Sequence, residues 1–77
     1  MEELVKYIIS ALVDDKDSFS VQTVMEGDNT VINITVDKKE IGKVIGKQGR
    51  IAKAIRMLVK AAGKDAGGKY YVDIIEK

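Results

Sequence analysis

The stretch Ile41-Gly42-Lys43-Val44-Ile45-Gly46-Lys47-Gln48-Gly49-Arg50-Ile51 decides how the chain folds. Two of its glycines, Gly46 and Gly49, are separated by two polar residues, as in a tight turn. Apolar residues on both sides of this turn recur at helical spacing, at Ile41, Val44 and Ile45 and then at Ile51, Ile55 and Leu58. The stretch therefore predicts a helix, a four-residue turn and a second helix.

This turn has the features of an anion-binding site. Glycine has no Cβ atom, so the backbone can come close to a ligand. The turn ends where the second helix begins, and the free N–H groups and dipole of a helix N-terminus attract negative charge. Four cations flank the turn, at Lys43, Lys47, Arg50 and Lys53. We therefore expect the turn to bind phosphate.

Charge is distributed unevenly along the chain, although the net charge is only +1. Between Lys38 and Lys64 there are nine basic residues and one acidic residue, Glu40, which gives this segment a charge of +8. The rest of the chain has four basic and eleven acidic residues, a charge of −7. Because the basic segment contains the glycine turn, this asymmetry favours a phosphate polymer as the ligand.

The spacing around the turn differs from the common nucleotide-binding motifs. A P-loop has four residues between its glycines, whereas three separate Gly42 from Gly46. Gln48 follows Lys47, where a P-loop has the Ser or Thr that binds magnesium. No glycine lies two residues from Gly46 and no βαβ unit surrounds it, which excludes a Rossmann fingerprint. A bound nucleoside triphosphate is therefore not expected.

Outside this stretch, the apolar pattern predicts one further helix and three strands. A helix from about Glu2 to Val13 precedes a polar break at 14–18 and a β-hairpin with strands 19–26 and 30–37. The helix before the glycine turn has about two turns, the helix after it runs from about Arg50 to Ala62 and ends around Gly63, and the last strand is 69–75. The order αββααβ predicts one small α+β domain over residues 1–77. It is a two-layer sandwich whose helices cover one face of a three-stranded sheet.

The same periodicity predicts the core. In the first two strands we expect inward-facing side chains at Phe19, Val21, Thr23 and Met25 and at Ile32, Ile34 and Val36. In the last strand Tyr70, Val72 and Ile74 alternate with Tyr71, Asp73 and Ile75, so one tyrosine ring is expected to face the core and the other to face outward. On the long helix the expected core stripe is Ile51, Ile55, Leu58 and Ala62, widened by Ala52, Ala54 and Val59. The opposite face is basic. There we interpret Arg56, Lys60 and Lys64 as solvated or partner-facing, and Met57 as an exposed residue or part of a dimer patch.

The composition argues against catalysis. The chain has no cysteine and no histidine, which removes thiolate metal sites and the commonest general base. Ser10, Ser18 and Ser20 have no recognisable activating neighbours. We therefore expect no enzyme activity, metal or cofactor. The start of the chain has no signal-peptide pattern and no apolar run could span a membrane, so a cytoplasmic protein is expected.

The segment Val44 to Gly49, set between two short amphipathic helices in this element order, resembles the GXXG signature of the KH domain. KH domains bind single-stranded nucleic acid. The order αββααβ is that of type II KH domains, and the resemblance extends over the whole chain to the small stand-alone KH proteins of bacteria. Ala52 departs from the pattern, because many KH domains have a larger aliphatic residue there.

The resemblance implies a function. A KH groove holds about four nucleotides of single-stranded RNA, and its GXXG loop clamps the backbone. The expected RNA contacts are Lys43, Ile45, Gly46, Lys47, Gln48, Gly49, Arg50 and Lys53. It also implies a homodimer, pairing with a larger KH protein, and a role in post-transcriptional control and cell elongation, as an RNA chaperone or regulator. The alternative is an interaction module with a KH fold, in which RNA binding is incidental.

Overall fold

The computed structural model describes residues 1–77 and has the predicted order of elements. The helices are α1 (Glu2–Leu12), α2 (Ile41–Ile45) and α3 (Arg50–Asp65), and the strands are β1 (Phe19–Glu26), β2 (Asn29–Val36) and β3 (Lys69–Glu76). A single 3₁₀ turn, Lys47–Gly49, lies between α2 and α3. None of the helices has the length and apolar character needed to cross a membrane.

The three strands form one sheet in the order β1-β2-β3. β1 and β2 are antiparallel, with Phe19 opposite Val36, and a two-residue turn at Gly27 joins them. β2 and β3 are parallel, with Asn29 beside Lys69. A parallel pair needs a crossover connection, and here α2, the 3₁₀ turn and α3 form it. The glycine turn is therefore part of the connection that makes the sheet possible.

The core lies between the helices and one face of the sheet. On the central strand Ile32, Ile34 and Val36 are fully buried, and the alternate residues are half-exposed on the other face. Val5 and Ile9 of α1 and Val59 of α3 pack into the same cluster of eleven buried residues. This arrangement confirms the predicted two-layer α+β sandwich with helices on one face.

The expected burial of β1 is wrong for its second half. Val21 is buried and Phe19 is half-buried, but Thr23 is exposed and Met25 is 68% exposed. The hydroxyl of Thr23 donates a hydrogen bond to Oε2 of Glu2 at 2.6 Å. The first turn of α1 therefore lies next to Thr23. The strand continues past the start of the helix, and Met25 has no helix above it.

The helix after the turn is longer than predicted and rotated from the expected face. Its buried residues are Ala52, Ile55, Val59 and Gly63. Two members of the predicted core stripe, Ala54 and Leu58, are exposed instead, Leu58 at 55%. Gly63 does not end the helix. It lies against the ring of Tyr70, and a Cβ atom there would be 2.2 Å from Cδ1 of that ring. The close contact explains a glycine inside a helix, and α3 continues to Asp65.

The helix before the turn is shorter than the two turns predicted. It has only five residues, because Gly46 adopts φ 76° and ψ 175° and leaves the helical conformation. The final strand follows its expected alternation, with Val72 buried, Tyr70 half-buried and Tyr71 exposed.

Candidate nucleic-acid interface

The glycine turn has a backbone conformation that only some residues adopt easily. Gly46 and Gly49 have φ of 76° and 73°, in the region that favours glycine. Gln48 has φ 57° and ψ 25°, and it is the only non-glycine residue with positive φ. Left-handed conformation costs an ordinary residue roughly 1–2 kcal/mol. The turn therefore holds Gln48 in a strained conformation at its exposed tip.

The two glycines of the turn have different surroundings. A Cβ atom at Gly46 would meet the side chain of Ile51, whose Cγ1 atom would be 2.6 Å away. Nothing lies within 4 Å of a Cβ atom built at Gly49. Gly46 is thus required for packing beneath the turn, while Gly49 leaves the backbone open to a ligand.

The turn leads directly into the N-terminus of α3. Gly49 is the N-cap residue, so no side chain caps the first N–H groups of the helix, and its first turn has no acidic residue. Lys47, Arg50 and Lys53 surround this helix end and are exposed. Free N–H groups, the positive end of the helix dipole and three cations together form an anion-attracting surface.

Lys43 is exposed but already has anionic partners. Its Nζ atom donates hydrogen bonds to Oδ2 of Asp14 and, at 2.8 Å, to Oε1 of Glu40. The bond to Asp14 and then that to Glu40 raise the pKa of Lys43 above its ordinary value. Lys43 therefore attaches α2 to the segment that follows α1.

Glu40 is a structural residue that the sequence analysis did not identify. The residue is only 5% exposed, and its Oε2 atom accepts hydrogen bonds from the backbone N–H groups of Asp14 (2.6 Å) and Asp15 (3.1 Å). The Lys43 ammonium, followed by the Asp15 N–H group, lowers the pKa of Glu40 to about 2. The one sequence signal was its position as the lone acid in a basic segment.

Ion pairs divide the basic segment into two parts. Before the turn, Lys39 pairs with Asp15, and Lys43 pairs with Asp14 and Glu40. From the turn onward no basic residue up to Lys69 forms an ion pair; these are Lys47, Arg50, Lys53, Arg56, Lys60, Lys64 and Lys69. Apart from Lys38, which also forms no ion pair, the positive charge available to a ligand therefore lies on the turn, along α3 and at the start of β3.

The predicted contact residues are grouped in space as well as in sequence. The exposed members of this set are Lys47, Gln48, Arg50 and Lys53. The half-buried members are Ile45, Gly46 and Gly49. Lys43 is the exception in this set because two carboxylates hold it. No group of His, Cys, Asp and Glu side chains is arranged to bind a metal ion.

The known proteins that are similar to this chain share one family name. The sequence profile of the family described as KhpA/KhpB, KH domain, matches residues 2–74. A protein of Clostridium perfringens named RNA-binding protein KhpA is 45% identical over 75 residues, covering 97% of this chain and all of that protein.

Two more relatives carry the same name, RNA-binding protein KhpA. The one from Caldanaerobacter subterraneus is 48% identical, with 97% of this chain and all of that protein covered. The one from Aquifex aeolicus is 44% identical over 77 residues, with 99% of this chain and 96% of that protein covered. No solved structure matches the chain significantly.

Proposed function

The chain belongs to the KhpA/KhpB KH-domain family, and from that membership we propose that it binds single-stranded RNA and catalyses no reaction. The observation that carries the proposal is the GXXG turn, which joins exposed, unpaired cations to the uncapped N-terminus of α3. Relatives named RNA-binding proteins support the choice of RNA as the ligand.

We assign the turn to the RNA backbone. Phosphate oxygens accept hydrogen bonds from main-chain N–H groups near Gly49, where no side chain blocks their approach. Lys47, Arg50 and Lys53 supply the charge, and the amide of Gln48 supplies a neutral donor and acceptor. Ile45 contributes an apolar surface for the bases. The clamp holds about four nucleotides, the span of a KH groove.

Lys43 has a supporting role in this proposal. Its ammonium group is held by Asp14 and Glu40, so an added phosphate would compete with two carboxylates. Lys43 therefore fixes the position of α2, from which the turn starts, and contributes less than Lys47 or Lys53 to RNA affinity.

We further propose that the protein acts as a homodimer. On α3 an exposed stripe consists of small and apolar residues, Ala54, Met57, Leu58 and Ala61. Met57 is 63% exposed and Leu58 is 55% exposed, which is unusual for neighbouring large apolar residues on one helix. A dimer would present two RNA clamps to one strand and increase affinity through effective concentration.

The family name also covers KhpB, and a heterodimer with a KhpB-like KH protein is a further part of the proposal. In this view the complex acts in the cytoplasm as a post-transcriptional regulator or RNA chaperone that affects cell shape. The second candidate function is a dimerisation module with incidental RNA binding, and the exposed α3 stripe is the observation that favours it.

The test is the double variant Lys47→Asp/Gln48→Asp. We expect at least a tenfold loss of affinity for single-stranded RNA in fluorescence anisotropy, because the substitutions put two negative charges where the backbone binds. The matched control is Lys16→Asp/Gln22→Asp, which makes the same changes at exposed positions away from the turn. Unchanged RNA affinity in a folded Lys47→Asp/Gln48→Asp protein would contradict the clamp. Persistence of self-association in that variant would show that the two activities use different surfaces.

A further inference from the structure

The unpaired cations of α3 continue well beyond the glycine turn. Because successive residues of a helix turn by about 100°, four of these cations fall within an arc of roughly 80°: Lys53, Arg56, Lys60 and Lys64. From Lys53 to Lys64 this basic stripe extends about 16 Å along the helix axis. The stripe leads from the turn toward β3.

The basic stripe faces the free edge of the sheet. Nε of Arg56 donates a hydrogen bond to the carbonyl oxygen of Val72, an atom of the edge strand β3, at 3.5 Å. Nζ of Lys60 lies 6.0 Å from the centre of the Tyr71 ring. The far end of α3 and the start of β3 therefore form one surface.

A hollow of about 300 Å³ lies at this junction. Its lining consists of Lys60, Lys64, Gly68, Lys69, Tyr70 and Tyr71. Three of these six residues are lysines without an ion-pair partner, and none is acidic. The other large hollow of the molecule, between α1 and β1, has Glu3 as well as lysines in its lining. The hollow at β3 thus has the charge of a phosphate site.

Tyr71 adds an aromatic surface to these charges. It lies beside Val31 of β2, on the sheet face that the helices do not cover, and is 43% exposed. An exposed ring next to lysines is the combination with which proteins bind unpaired nucleotides: the base stacks on the ring and the phosphates contact the cations.

We propose that the hollow formed by Lys60, Lys64, Lys69 and Tyr71 is a second contact site for the RNA strand held at the glycine turn. The basic stripe joins the two sites, so the chain binds a strand longer than the four nucleotides of the clamp. This inference rests on the proposed RNA-binding function. It reassigns Arg56, Lys60 and Lys64, interpreted from the sequence as solvated or partner-facing, to the RNA-binding surface.

The experiment compares RNAs of about four and about ten nucleotides in binding to the full chain. We expect Lys60→Ala/Lys64→Ala to weaken binding of the longer RNA roughly tenfold and that of the shorter RNA less than twofold. The slope of log affinity against log salt for the longer RNA should become less steep by about 1.4, because two phosphate contacts are lost. The control Lys16→Ala/Lys38→Ala removes the same charge elsewhere on the surface.

Substitutions of Tyr71 distinguish base stacking on its ring from simple charge attraction. Tyr71→Ala should weaken binding of the longer RNA about five- to tenfold, while Tyr71→Phe keeps the ring and binds like the unchanged chain. Ultraviolet crosslinking should join Tyr71 to the longer RNA and not to the shorter one. A Tyr71→Ala variant that binds both lengths normally would overturn the assignment of the ring.

The possible outcomes keep the second site distinct from the clamp. If Lys47→Asp/Gln48→Asp abolishes binding but Lys60→Ala/Lys64→Ala affects neither RNA, the clamp stands and the second site is overturned. Equal losses for both lengths in Lys60→Ala/Lys64→Ala would show general charge attraction and overturn the second site. A competition experiment tests acidic protein as the ligand. If poly-glutamate displaces the longer RNA as effectively as unlabelled RNA does, the hollow is a site for acidic protein and the second RNA site is overturned. If the unchanged chain binds neither RNA, the proposed function itself fails.

Discussion

Gly46 lies directly against Ile51, so close that a Cβ atom at Gly46 would be 2.6 Å from Cγ1 of Ile51. We expect Gly46→Ala to destabilise the fold more than Gly49→Ala. Both positions have positive φ, which costs alanine roughly 1–2 kcal/mol, and overpacking against Ile51 adds about 1–3 kcal/mol at Gly46 alone. Urea unfolding of the two variants measures the difference.

A second substitution identifies the cause. In Gly46→Ala/Ile51→Ala the contacts with Cγ1 and Cδ1 of Ile51 are removed and only the contact with Cβ, at 2.9 Å, remains. The double variant should therefore lose less stability than the sum of the two single variants. Additive losses, or equal losses for Gly46→Ala and Gly49→Ala, would mean that Ile51 does not constrain the turn.

Gly63 provides a second test of close packing. In an exposed helix interior, Gly→Ala stabilises by up to about 1 kcal/mol. Here a Cβ atom would be 2.2 Å from Cδ1 of Tyr70, so we expect Gly63→Ala to lower the melting temperature instead. Adding Tyr70→Ala, which removes Cδ1 and Cγ of the ring, should reverse the effect of the alanine at Gly63, as measured by comparing each protein with its Gly63 counterpart. A more stable Gly63→Ala protein would rule out the Tyr70 contact.

Glu40 makes the stability of the fold dependent on pH in the acid range. Its pKa falls from an ordinary value of 4.5 to about 2 in the folded protein, chiefly because of Lys43 and the Asp15 N–H group. A carboxyl group with a lowered folded-state pKa stabilises the fold fully above the unfolded pKa. That stabilisation is lost as the pH falls from about 4.5 toward 2.

The variant Glu40→Gln tests this dependence. At pH 7 it should melt on the order of 10 °C lower, because the Asp14 and Asp15 N–H groups lose a charged acceptor. The difference in melting temperature from the unchanged protein should shrink as the pH is lowered from 5 to 2.5. A difference that stays constant over this range would exclude ionised Glu40 as the source of the stability. Glu76→Gln, at an exposed position on β3, is the control.

The salt dependence of RNA affinity distinguishes the cations proposed to contact RNA from those that stabilise the fold. Contacts to about three or four phosphates of a single strand predict a slope of log affinity against log salt of roughly −2 to −3. Lys53→Ala should make this slope less steep by about 0.7. Lys43→Ala should lower thermal stability with little change in the slope, since its ammonium group is already paired. Anisotropy titrations at several salt concentrations measure the slope for each variant, and thermal unfolding measures its stability. Identical slopes for Lys53→Ala and Lys43→Ala would contradict the distinction.

The exposed α3 stripe predicts a surface that controls self-association. Leu58→Glu should convert the proposed dimer into a monomer in sedimentation experiments, because it places a charge in an apolar interface. Tyr7→Glu, on a residue of α1 that is 75% exposed, should leave the association state unchanged. A Leu58→Glu protein that still dimerises would locate the interface elsewhere.

The features that could be predicted from the sequence are those set by local patterns. The β2 alternation is clear because helices cover one face of the central strand and its edges are paired on both sides. The glycine turn is equally local. Its strained tip could not be predicted, because nothing in the sequence distinguishes Gln48 in a left-handed conformation from any other turn residue.

The features that were missed depend on contacts between distant parts of the chain. Leu58 and Val59 are neighbours on a broad apolar arc of α3, and only packing on the sheet determines which is buried. Glu40 binds N–H groups 25 and 26 residues away, a relationship that no periodicity reveals. The need for a glycine inside α3 likewise comes from the ring of Tyr70, seven residues beyond Gly63.

The parallel pairing of β2 with β3 bears on when, during synthesis, the glycine turn becomes ordered. The β1–β2 hairpin can form once Val36 has left the ribosome, because its contacts are local in sequence. The glycine turn belongs to a crossover whose far end is fixed only when Lys69 comes to lie beside Asn29. A nascent chain that still lacks β3 therefore also lacks the pairing that fixes the far end of this crossover. We therefore expect chains that end before Lys69 to bind RNA more weakly than the full chain.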